Sequence, residues 1–104
     1  MTEIEKLYSL AGVEPVYPYT KCYPEFTAEK QIAIIKWLSR RSHITIGLGL
    51  PWGQYDDDWW CVTCKKGGVG TDAYKLEEAL AGFINNLWQD LTEEEKRQIK
   101  EILE

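Results

Sequence analysis

Apolar positions repeat along this chain with two different periods, and the periods divide it into elements. The clearest helical pattern is Leu76, Ala79, Leu80, Phe83, Ile84, Leu87 and Trp88, whose i, i+3, i+4, i+7 spacing predicts an amphipathic helix over roughly 74–89. Upstream, Ala28, Ile32, Ile35 and Leu38 recur at the same spacing, with Ile34 and Trp37 widening the apolar face. Thr27 stands ahead of them as a cap, so a helix over about 28–40 is expected, with Lys36 and Arg40 on its wet side. Period two takes over in HITIGLGL, where Ile44, Ile46, Leu48 and Leu50 alternate with smaller or polar residues, the signature of a half-buried strand over about 43–50.

A second strand is expected over about 58–65, and the short connection between the two favours antiparallel pairing in a hairpin. Strand alternation then sets Trp59, Cys61 and Thr63 on one face and Trp60, Val62 and Cys64 on the other. The chain ends carry helix-start signals of their own. Thr2-Glu-Ile-Glu5 and Thr92-Glu-Glu-Glu95 both have the spacing of a capping box, predicting short helices over about 3–11, stopped by Gly12, and 93–103. In the latter Ile99, Ile102 and Leu103 form a narrow seam that either closes the core or docks a second copy, which makes a homodimer an expectation. Pro15, Pro18 and Pro24 break the segment VEPVYPYTKCYPEF into an extended aromatic arm, a candidate for one further short strand.

These elements make an α+β domain with a small antiparallel sheet packed by the helices at 28–40 and 74–89. At 104 residues, 44% of them hydrophobic, the chain supports one core, so residues 1–104 are read as a single domain. A net charge of −5 argues against nucleic acid as a partner, since neutralising phosphates needs clustered Lys and Arg. The charge is uneven: from Glu77 to Glu104 there are eight acidic and three basic residues, whereas Lys36, Arg40, Arg41 and His43 form a local basic cluster. No leader pattern and no membrane-spanning run is read, and three cysteines cannot all pair in one chain. A reducing compartment, the cytoplasm, is expected.

Four stretches invite chemistry. KKGGVGT, Lys65 to Thr71, lies between a predicted strand and a predicted helix, so exposed N–H groups at Lys66, Gly67, Gly68, Gly70 and Thr71 could hold a phosphorylated small ligand. It lacks the lysine between Gly70 and Thr71 that nucleotide-hydrolysing loops require, and the plainer account is a turn. Cys61-Val-Thr-Cys64 is half of a zinc-ribbon signature that Cys22 and His43 could complete, although i and i+3 in a strand point to opposite faces. His43, the single histidine, has no nucleophile or carboxylate arranged with it, so no enzyme and no cofactor is expected. The fourth stretch joins the two strands. Trp52, Tyr55, Asp56, Asp57, Asp58 and Trp59 form the densest aromatic and acidic cluster in the chain, at a hairpin tip of the kind that binds protein partners.

A tyrosine-rich approach, CYPEFTAEKQ, enters a helix ending in IIKWL. A hairpin with the core WWCVTC follows, then a short polar loop and an EALAGFINNL helix. Over roughly residues 22–88 this layout resembles the phage and prophage proteins of the phage ABA-sandwich kind. The resemblance implies a helix, central strands and a second helix as layers, and it brings no catalytic residues.

Overall fold

The computed structural model describes residues 2–17, 22–41, 44–48, 60–64, 70–73 and 75–104, with only the backbone described at 48, 64 and 70–73. Helix α1 spans Glu3–Ala11, α2 Ala28–Arg41, α3 Leu76–Leu87 and α4 Glu93–Leu103, while strands β1 (Ile44–Leu48), β2 (Trp60–Cys64) and β3 (Gly70–Ala73) form one sheet. A single 3₁₀ turn, Trp88–Asp90, extends α3 toward α4.

Local chemistry sets the helix ends. The Thr2 hydroxyl accepts the Glu5 N–H at 3.1 Å, occupying one of the donors that a helix start leaves unpaired. At the other end Gly12 adopts φ 77°, its N–H donating to the Ser9 carbonyl while the Val13 N–H donates to that of Tyr8. This paired closure needs a left-handed residue, which glycine supplies without a Cβ penalty. At α4 the capping box is complete: Thr92 Oγ1 accepts the Glu95 N–H, and the Glu95 carboxylate accepts the Thr92 N–H.

The sheet has the order β1-β2-β3, antiparallel throughout. Ile44 pairs with Cys64, Ile46 with Val62 and Leu48 with Trp60, confirming the expected hairpin. The further strand is Gly70–Ala73, and the described residues of the proline-rich arm form none. Consequently the connection 65–69 joins two antiparallel strands, and α3 opens only at Leu76, after β3.

Helix α3 is the centre of the molecule. Ala79, Leu80, Ala81, Phe83 and Ile84 are fully buried, and the helix is covered by α1, α2, β2 and β3. A helix enclosed on most sides must be apolar nearly all round, as the run from Ala79 to Ile84 is, with Glu77, Glu78, Asn85 and Asn86 toward its ends. Helix α2 packs chiefly on α3 and α4, and this turns its buried face away from the predicted centre. Ile34 and Leu38 are sealed, Ile35 and Trp37 are half-buried, and Ala28 and Ile32 lie outside. The terminal helices are core members: Leu7 and Tyr8 from α1, and Ile99 and Leu103 from α4, have no exposed surface. The seam of α4 therefore closes the chain's own interior.

Candidate functional site

The arm leading to α2 folds back on itself, with the Val16 N–H donating to the Cys22 carbonyl at 2.7 Å. Tyr23 stacks on Tyr8 at 5.4 Å between ring centroids, and Phe26 meets Tyr8 edge-on. Tyr17, by contrast, is 61% exposed, so the arm's aromatics divide between packing and solvent. Cys22 is exposed on a shallow surface beside Thr2, Tyr23 and Glu77.

Of the zinc-candidate residues, Cys61 and Cys64 are both strand positions, opposite Gly47 and Ile44 in the ladder. Their separation of three gives them opposite parity along the pleat, whereas a knuckle needs its two thiolates to converge on one ion. His43 lies outside the described residues, among which no group of three or more His, Cys, Asp or Glu side chains gathers around a common point. The glycine-rich candidates divide as well. Lys65, Lys66, Gly67 and Gly68 fall outside the described residues, while Gly70 and Thr71 open β3, paired with Thr63 and Val62. Because a strand separates this segment from α3, the helix start that would draw an anion does not follow it directly.

The aromatic and acidic cluster, Trp52, Tyr55, Asp56, Asp57, Asp58 and Trp59, falls outside the described residues. Its anchors are described: Leu48 and Trp60 are paired at the end of the β1/β2 ladder, so the segment is the hairpin connection. Of the five tryptophans, Trp37, Trp60 and Trp88 pack against the core. Trp52 and Trp59 are the two that belong to the connection.

Sequence reasoning overlooked the groove between α2 and α4. About 620 Å³ in volume, it is lined by Trp37, Arg40 and Arg41 from α2 and by Glu95, Gln98, Glu101 and Ile102 from α4. Trp37 Nε1 donates to Gln98 Oε1 at 2.8 Å, and Arg41 Nε pairs with Glu95 Oε2 at 2.6 Å. Glu95 thus caps its own helix with one oxygen and holds α2 with the other. The Thr92 N–H first, and then Arg41, keep its carboxyl below the ordinary range, because both favour the ionised form. The only hint in the sequence was the cluster Lys36, Arg40, Arg41, whose neighbour α4 lies more than fifty residues away along the chain.

Comparison with protein-family models, with curated proteins and with solved structures finds no match. Among the described residues no helix is long and apolar enough to cross a membrane.

Proposed function

We propose that this is a non-enzymatic accessory protein of the phage or prophage kind, working in the cytoplasm of a bacterial host and binding a protein partner through the β1/β2 connection. The observation that carries this reading is the division of the tryptophans. Three are spent on the core, while Trp52 and Trp59 sit with Tyr55 and three aspartates in the segment that joins two paired strand ends. Aromatic side chains bury large areas at small cost in conformational entropy, and flanking carboxylates select a partner of opposite charge.

The test compares the wild type with a Trp52→Ala/Tyr55→Ala variant, each immobilised and exposed to host lysate. The expected result is a protein retained by the wild type and lost from the variant, with both melting at the same temperature. Equal retention by both, or retention of nothing by either, overturns the proposal.

A further inference from the structure

Independently of the hairpin, we infer that the α2/α4 groove is a self-complementary surface that seats the same groove of a second copy of this chain. The two helices run antiparallel here, since Arg41 meets Glu95 and, further along, Trp37 meets Gln98. The charged residues that line the groove divide by helix, Arg40 and Arg41 on α2 against Glu95 and Glu101 on α4. The α2 rim has Arg40 in the lining and, one turn before it on the same side of the helix, Lys36; both are exposed and without an ion pair among the described residues. The α4 rim has Glu94 and Glu101, about 60% exposed and bridged by Arg97, so that this trio keeps a net negative charge. Between the rims lie the half-buried Trp37 and Ile102.

A twofold axis running along the groove places α2 of one copy over α4 of the other. It then does so twice, as an isologous contact must. In that arrangement the antiparallel order sets Arg40 near the partner's Glu94 and Lys36 near the partner's Glu101, while the apolar floors cover one another. A unipolar peptide satisfies one rim and is repelled by the other; a second copy satisfies both. On α4 the patch runs from Glu94 to Ile102, so at 1.5 Å per residue it is roughly 13 Å long. Two helices wide, it buries about a third of the ~800 Å² per partner of a standard interface, which makes the dimer weak and salt-sensitive.

The experiment uses the full chain and two rim reversals, Lys36→Glu/Arg40→Glu and Glu94→Lys/Glu101→Lys, with sedimentation equilibrium read at low and high salt. At sub-millimolar concentration and low salt the wild type is expected to approach twice its 12.1 kDa chain mass, and high salt to return it to one. Each reversed variant alone is expected to stay at one chain mass, and their equimolar mixture to reach two. Circular dichroism and melting curves accompany each sample, and Glu101→Gln, which keeps the helix-forming side chain, serves as the second variant should the Lys pair fail to fold; it is expected to weaken the dimer several-fold. A wild-type monomer under all conditions overturns the inference and leaves the groove to a different partner. A dimer indifferent to both reversals overturns it as well, by placing the contact elsewhere.

Discussion

Tyr8 and Asn85 show how single buried groups act in this fold. The Tyr8 hydroxyl is buried with no hydrogen-bond partner among the described residues, and burial pushes its pKa from 10.0 up to about 12. Its ring stacks on Tyr23 and lies 5.8 Å from the Lys30 ammonium. The ring is therefore the stabilising part and the hydroxyl a cost. Tyr8→Phe keeps the ring and removes the orphan group, so chemical denaturation should show no loss, or a gain of up to about 1 kcal/mol. The same variant alters the alkaline limit. In the wild type the unfolded phenol ionises near pH 10 while the folded one stays protonated, so stability is full below pH 10 and falls as pH rises toward 12. Tyr8→Phe should flatten that part of the slope.

Asn85 donates from Nδ2 to the Glu3 carbonyl at 2.9 Å and to the Glu3 carboxylate at 2.8 Å, fastening α1 to the central helix. Asn85→Ala should cost about 1 kcal/mol in urea unfolding, since two part-buried hydrogen bonds to the exposed Glu3 are lost. Asn85→Asp should cost more at neutral pH, because two carboxylates then face each other, and should recover in part on acidification.

At the scale of elements, α4 depends on its first turn more than on propensity alone. Thr92→Ala removes the hydroxyl half of the capping box and should lower stability by about 1 kcal/mol. Glu95→Gln separates the two tasks of that side chain, since an amide oxygen still accepts the Thr92 N–H but no longer offers charge to Arg41. Its effect should depend on pH with a definite sign. A carboxyl whose folded pKa is depressed adds stability above its unfolded pKa and loses it as pH falls through the folded value. The wild type and Glu95→Gln should accordingly differ at pH 7 and converge in acid, measured by thermal melts across that range.

For the whole molecule, the consequential fact is that both chain ends enter one interior, with Leu7, Tyr8, Ile99 and Leu103 in contact with the same cluster as Phe83 and Ile84. Removing residues 92–104 uncovers apolar surface of α1 and α2 together. The truncated chain should lose its cooperative melting transition and not merely shift it, a result that differential scanning calorimetry would check.

The elements were largely legible because helix and strand periods, caps and glycine stops act over a few residues. Thr2, Gly12, Thr92 and Glu95 each do what their neighbours dictate, and the β1/β2 ladder follows from alternation. Packing direction was not legible. Ile32 has the right spacing for burial and is 52% exposed, because α2 meets α3 and α4 through Ile34 and Leu38. Gly70–Ala73 carries almost no apolar signal and becomes a strand only because β2 offers it an open edge. Such pairings, like the groove joining Arg41 to Glu95, depend on residues far apart along the chain. The sequence by itself determined where the backbone would coil or extend, since local hydrogen bonds and side-chain spacing suffice for that. Only the tertiary structure decided which faces meet, because burial is settled by the competition of every element for the same interior.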